Sequence, residues 1–445
     1  MFKFGYAQEN ITPKRGVPLC GYFEPRPNVG AHDALMVKAA VFECDGVKGG
    51  ILSYDLCIFP RSVMLYFKEE LTKAGIDFAD NLLFAATHSH TSPYIGMNFA
   101  DKTLDEAYIR NMAAQTVNAV KTALDSLYEA EIYAGKATNH DLAFNRRFWM
   151  KDGTVLTNPG KLNPNIVGPE SVIDPDIPFF IVKQDGMDRL IIANISNHTD
   201  TIGDEMVSAD WPGRMEKAIQ DHYGYDIPVM TLIGCQGNIN HFNVETDFDQ
   251  TNYAEACRIG KGYAASIISM LYSAKKVDTD SLQIDSEEFE APYVQISDEE
   301  YAAAKATVEE LKDVQPGGGK DLTSEGIAAG SLYTKKVFAQ RIVDCRENPI
   351  TEKRIETMKA FKIGESICIQ TIPAEAFVEL GFAIKAKSPY KFTMVSGLTM
   401  GYIGYTALPE CYARGGGYET RPGRTAPAHD LAPKIIDLGI ELVNR

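Results

Sequence analysis

The chain has 445 residues, 45% hydrophobic and 23% charged, enough apolar material for a large core without disulfide staples. Its 60 acidic and 44 basic residues leave a formal net charge of -16, which repels phosphate backbones and anionic bilayers and excludes nucleic acid as an expected partner. No run approaches the roughly 18 apolar residues of a membrane span, and MFKFGYAQENITPKRG has no apolar stretch of leader length, so no transmembrane segment and a cytoplasmic location are expected.

In chain order, residues 36–43 (MVKAAVFE) and 50–57 (GILSYDLC) are β-rich and flank a short turn containing Asp45-Gly46, which predicts a hairpin or adjacent strands. Residues 61–75 read as helix, 81–86 (NLLFAA) as a short buried strand, and 104–129 as a long amphipathic helix. The alternation returns with a strand at 188–196, a helix at 211–224, a strand at 227–234 and a helix at 252–274. This predicts α/β layering rather than separate all-α and all-β domains.

Ser297 and Glu300 form a capping-box pattern for a surface helix at 297–312, and PGGGKD at 316–321 breaks it. Residues 297–350 as a whole read as a mainly helical excursion. A hairpin is expected at 358–372 with Gly364-Glu365 near its turn, then a helix at about 374–387, a strand at 392–399, and a Gly-, Pro- and Arg-rich loop at 409–430. No internal repeat stands out. The eight cysteines form no C-x-x-C pair and several lie in apolar runs, so buried reduced thiols are expected.

Five segments carry chemistry. His88 and His90 lie in Ala86-Thr87-His88-Ser89-His90-Thr91, directly after a buried strand. An extended segment places residues two apart on the same side of the chain, and open α/β sheets form sites at the carboxyl ends of their strands. Asn197-His198-Thr199-Asp200 follows a second apolar strand, and Gly234-Cys235-Gln236-Gly237-Asn238-Ile239-Asn240-His241 a third. Ile372-Pro373-Ala374-Glu375 ends a fourth, and Gly401-Tyr402-Ile403-Gly404-Tyr405 follows a fifth. Solvent-exposed loop histidines, a plain glycine turn and a helix-start glutamate are the bland readings of these segments taken singly. Together they put metal-capable or catalytic residue types at five strand ends. Histidine nitrogen and carboxylate oxygen suit zinc, which lowers the pKa of bound water to about 7. Spacing alone does not select zinc over manganese or iron.

At these residues the chain resembles the neutral/alkaline (non-lysosomal) ceramidase family, from the N-terminus to about residue 420. GYAQENITPKRGVPLCGY resembles the family's opening stretch, and Ala31-His32-Asp33 before VKAAVFE its next block. ATHSHTSP resembles ATHTHSGP, NHTDTIG with SADWPG the second histidine block, IPAE the P-G-E motif, and GLTMGYIGY with GGGYE the tyrosine block.

The resemblance implies one catalytic domain over 1–445, a large layered mixed-sheet α/β fold flanked by helices, with its site at strand C-terminal ends. It implies Zn2+ held by His88, His198, Glu375 and Tyr405. Tyr405 is preferred to Tyr402 because the family's ligand is the second tyrosine of that Y-x-x-Y. It places His90, Arg146 and Tyr418 against the substrate or the reacting carbonyl. Asn240 and Tyr402 are the expected substrate contacts.

Gly237-Asn238-Ile239-Asn240-His241 departs from the family's G-D-x-S-P-N, and Tyr94-Ile95-Gly96 replaces its glycine run. The chain is expected to lack the family's C-terminal β-sandwich-like domain and secretion signal. The expected activity is zinc-dependent hydrolysis of an N-acyl amide, small-molecule or lipid-like, smaller or more polar than ceramide. The alternatives are hydrolysis of an ester, peptide or sugar-derived substrate, or a non-catalytic binding protein.

Overall fold

The computed structural model describes residues 1–21, 26–96, 104–317, 322 and 324–445. Three sheets share one plan. In the first, Met36–Cys44 and Val47–Tyr54 form an antiparallel hairpin, helix Arg61–Lys73 crosses over, and Leu82–Ala86 returns parallel to Val47–Tyr54. In the second, Asp176–Gln184 and Met187–Ile195 pair antiparallel, helix Asp210–Tyr223 crosses over, and Val229–Ile233 lies parallel to Met187–Ile195. In the third, Ile355–Ile363 and Ile367–Thr371 pair antiparallel, helix Val378–Lys385 crosses over, and Phe392–Ser396 lies parallel to Ile367–Thr371. No sequence repeat marks this threefold topology. Each unit needs only a hairpin turn, an apolar strand and a covering helix, and many sequences meet those demands.

The result is a mixed α/β fold with helices over several mixed sheets. The parallel pairs are buried and apolar along their length, as in ILSY beside LLFAA and LIIANI beside VMTLI. Alternate residues of Ile355–Ile363 divide between two cores: Phe361 and Ile363 join the main one, whereas Met358 and Ala360 pack under the C-terminal helix Leu431–Asn444. That helix buries Leu431, Ile435 and Leu442, each worth about 1.5–3 kcal/mol.

Backbone hydrogen bonds join the three sheets where their parallel strands end. Gly397 N donates to Ile233 O (2.8 Å), Met400 N to Phe84 O (2.9 Å), and His90 N to Thr199 O (3.0 Å). These bonds fix the loops that leave the strands, so the chemistry-bearing segments converge.

Several boundaries differ from the sequence reading. The long helix ends at Asp125, and Tyr128–Glu129 become an edge strand instead. Glu375 does not start a helix; it lies in the two-residue strand Glu375–Ala376, parallel to Tyr405–Thr406, and the helix begins at Val378. The segment 409–430 is not all loop, because Pro409–Arg414 is helical with proline in its first turn, where its missing N–H costs nothing. Helix Leu431–Asn444, to which the sequence reading assigned no element, likewise carries a proline, Pro433, in its first turn. The capping box is present, with Glu300 N donating to Ser297 Oγ (3.1 Å) and Ser297 N to Glu300 Oε2 (2.8 Å). Its helix, Asp298–Glu310, ends ahead of the PGGGKD break, whose residues 318–321 lie outside the described residues. Helices Ser324–Ala329 and Leu332–Glu347 follow.

None of the eight cysteines forms a disulfide; seven are buried and Cys257 is half-buried. Among the described residues no helix is long and apolar enough to cross a membrane.

Candidate metal centre

His88 follows the strand Leu82–Ala86 with a left-handed backbone (φ 66°), a conformation unusual for a residue with a side chain. Its Nδ1 faces the Cys57 carbonyl at 2.7 Å, so the ring proton sits on Nδ1 and Nε2 presents a lone pair. His198 follows Met187–Ile195, and its Nδ1 faces the carbonyls of Gln236 (3.0 Å) and Ile239 (2.9 Å), which fixes the same tautomer. Trp211 Nε1 donates to the His198 carbonyl at 2.7 Å and secures the backbone behind the ring.

Both Nε2 atoms lie 3.2 Å from Glu375 Oε2, with all three side chains fully buried. Three acceptor atoms so close repel one another unless a proton or a metal cation sits among them. Among the described residues, two donor groups lie within metal-binding reach: His88 with His198 and Glu375, and Cys57 with His88 and His90. The first offers two imidazoles and a carboxylate, a set that suits zinc. In the second, His88 must contribute Nδ1 or share Nε2, and its Nδ1 is already engaged by the Cys57 carbonyl.

The electrostatics agree. Burial pushes the Glu375 carboxyl up, yet His88 and His198 beside it hold it well below the usual carboxylate range. Burial lowers His88, and the Glu375 carboxylate outweighs that and raises it. Burial, with Arg146 alongside, lowers His198. The centre therefore favours a negative carboxylate flanked by nitrogen donors. Tyr402 Oη donates to Glu375 Oε1 at 2.7 Å and leaves Oε2 to face the histidines.

The other residues singled out from the sequence fall as follows. His90 Nε2 lies 3.3 Å from His88 Nε2, and burial with the neighbouring His88 holds its pKa well below the usual value, so it is neutral. Arg146 is fully buried: Nη1 lies 3.3 Å from His198 Nε2, Nη2 donates to Gly237 O (2.7 Å), and Nε lies 2.9 Å from Glu419 Oε1. Its guanidinium carbon lies 5.3 Å from the Tyr405 ring centre and 5.2 Å from that of Tyr418. Burial keeps the Tyr405 and Tyr418 hydroxyls protonated.

Tyr405 is Glu375's partner in parallel register, which brings it beside the centre. Tyr402, expected against substrate, has its hydroxyl on Glu375 and its ring facing a cavity. Asn240 is engaged internally, with Nδ2 on Asn158 Oδ1 (3.3 Å) and Oδ1 accepting from Phe242 N (3.1 Å). Gly237 allows the close backbone approach its sequence suggested: a Cβ there would lie 2.4 Å from the Glu375 carbonyl oxygen.

Three supporting groups had little signal in the sequence. Glu419 binds Arg146 through Oε1 and Arg147 Nη1 through Oε2 (3.1 Å). Asp200 meets His241 at 3.1 Å, and His241 Nε2 meets the Gln250 carbonyl at 2.8 Å. A ring nitrogen facing an acceptor on each side marks His241 as a cation, and the Asp200 carboxylate raises it against burial. The signal available was acidic residues one or two positions from the motif residues Tyr418 and His198.

Fold and centre together define an α/β protein with a buried two-histidine, one-carboxylate cluster at strand ends. Its fold is that of neutral ceramidase. A crystal structure of neutral ceramidase from Pseudomonas aeruginosa matches over 99% of this chain and 74% of its own, with a TM-score of 0.71 at 17% identity. A structure described as ceramidase complexed with C2 matches over the same shares, with a TM-score of 0.72 at 18% identity. No protein-family model and no curated protein matches the chain.

Proposed function

We propose that this chain hydrolyses the N-acyl bond of a linear amide with zinc held by His88, His198, Glu375 and Tyr405, all within one catalytic domain over 1–445. The observation that carries this reading is the meeting of two imidazole Nε2 atoms on one carboxylate oxygen, each at 3.2 Å, inside the protein. The ceramidase fold supports an amide as the bond cleaved.

A zinc ion there supplies Lewis-acid charge and a water nucleophile at neutral pH. Arg146, fixed by Gly237 and Glu419, holds a permanent positive charge toward the carbonyl oxygen as it becomes negative. Tyr418, kept protonated by burial, donates to that oxygen. His90, neutral at rest, takes a proton from the attacking water at Nε2 and returns it to the departing nitrogen. The acyl carbon–nitrogen bond breaks, a carbon–oxygen bond forms, and the products are a carboxylic acid and an amine.

The test is a panel of acyl amides, with matched esters, assayed on chelated and zinc-restored protein beside elemental analysis. Turnover of amides is expected only with zinc. Full turnover by metal-free protein overturns the metal reading, and cleavage of esters alone overturns the amide.

A further inference from the structure

Two residues along the chain from His198, Asp200 enters a second buried ion pair. Its Oδ1 lies 3.1 Å from His241 Nδ1, with the histidine side chain 3% and the aspartate side chain 17% exposed. The opposite ring nitrogen, Nε2, donates to the Gln250 carbonyl at 2.8 Å. The reaction proposed above uses neither residue. His241 also stands in the stretch that departs from the motif it resembles, so no role for it carries over from there.

The pair joins the two segments on which the His198 ring depends. Asp200 belongs to the segment that carries His198, and His241 directly follows the segment 236–240 that aims it. Gln236 O (3.0 Å) and Ile239 O (2.9 Å) accept from His198 Nδ1. The same segment holds Arg146: Gly237 O accepts from its Nη2 at 2.7 Å, and Asn238 O from its backbone N at 2.9 Å. It reaches the carboxylate donor as well, because Gly237 N donates to Ala376 O, next to Glu375, at 2.8 Å. A displacement of this one segment is therefore felt by His198, Arg146 and Glu375 together.

Both ends of the pair are anchored. On one side, Asp210 Oδ2 accepts from Thr201 N (3.0 Å) and Ile202 N (3.3 Å). On the other, the buried Gln250 side chain accepts from Asn243 N (2.7 Å) and donates to Asn243 O (2.9 Å). A charged pair in such a setting resists opening more than a neutral hydrogen bond, since parting leaves two buried charges uncompensated.

We propose that Asp200 and His241 are positioning residues for the metal: their ion pair holds segment 236–240 where its carbonyls keep His198 Nε2 turned toward Glu375 and the ion. This rests on the reading of the cluster as a metal centre and names what aligns one of its donors.

Metal binding decides it without turnover. Zinc affinity of the full-length protein is read by chelator competition, and Co2+ in place of zinc reports the donor geometry through its visible absorption. His241→Gln keeps a donor for the Gln250 carbonyl and loses the charged contact to Asp200. It should weaken zinc binding roughly 10-fold or more and change the cobalt bands, and Asp200→Asn should do the same. His241→Asn keeps a donor at the Nδ1 position and should recover part of the loss. The double variant Asp200→Asn with His241→Gln leaves neither charge alone and should lose less than the two single losses combined. A merely structural pair would lower the melting temperature alone. Zinc affinity within about two-fold of wild type and an unchanged cobalt spectrum, in single variants that melt cooperatively, overturn the proposal and leave the metal reading standing. If the single variants do not fold, the double variant carries the same comparison, and wild-type affinity there overturns the proposal. Wild-type protein that takes up neither ion removes the metal reading and the proposal with it.

Discussion

The candidate metal centre and the cavity wall beside it are built in different ways. Every donor of the centre hangs from a strand end or a two-residue strand, and backbone carbonyls set each imidazole by its Nδ1. The wall comes from the helix Leu332–Glu347 and the loop around Arg421, which have no place in the three sheets and meet through cation–aromatic contacts. The candidate centre thus rests on strand ends tied into the sheets, and the cavity wall on elements outside them.

Substitutions at the centre and away from it should therefore fail differently. The largest effect is expected from Glu375→Gln, which removes the charge that draws the cation: kcat/KM on acyl amides should fall roughly 100-fold or more. A Glu375→Gln protein that turns over normally would remove Glu375 from the centre. Tyr402→Phe deletes the hydroxyl donated to Glu375 at 2.7 Å and should cost roughly 10-fold to 100-fold in zinc affinity, read by chelator competition. Unchanged affinity would mean that Tyr402 merely fills space.

The smallest effect concerns stability. Glu356 is buried on the third sheet beside Gly401, and burial raises its pKa from 4.5 to about 7. Below 4.5 the carboxyl is protonated folded and unfolded, so it costs nothing. From there to about 7 the unfolded chain ionises first, so stability falls as pH rises, and above that the loss is constant. Glu356→Gln should thus be more stable than wild type at pH about 8, by about 1–3 kcal/mol, with the gap closing near pH about 4. Melting curves at both ends check this; a gap independent of pH would show that the carboxyl's ionisation is not what differs.

Much of the layered plan was legible because buried parallel strands such as LLFAA and VMTLI are short apolar runs between amphipathic helices. The acidic strand Leu282–Glu290 was not, since its nine-residue ladder to Ile355–Ile363 lies at a sheet edge, where alternate positions face water. In the candidate site, His88, His198 and Glu375 were singled out because they follow strands, and strand ends are where side chains gather. That both histidines meet the same oxygen of Glu375 is a three-dimensional fact with no trace in spacing. The tyrosine pair shows the same limit: Y-x-x-Y names two candidates, but only coordinates show Tyr402 on the carboxylate and Tyr405 against Arg146.

Glu419 ties two parts of the molecule together. Its one carboxylate grips Arg146 at the candidate centre and Arg147, whose Nη1 also donates to the Gly416 carbonyl and whose Nη2 donates to that of Gly415, at the root of the loop bearing Arg421. A single side chain thus bridges the candidate centre and the turn at Gly415 and Gly416, with Glu170 sharing Arg147 and the Gly237 carbonyl sharing Arg146, so the two buried arginines are cross-braced rather than held one by one.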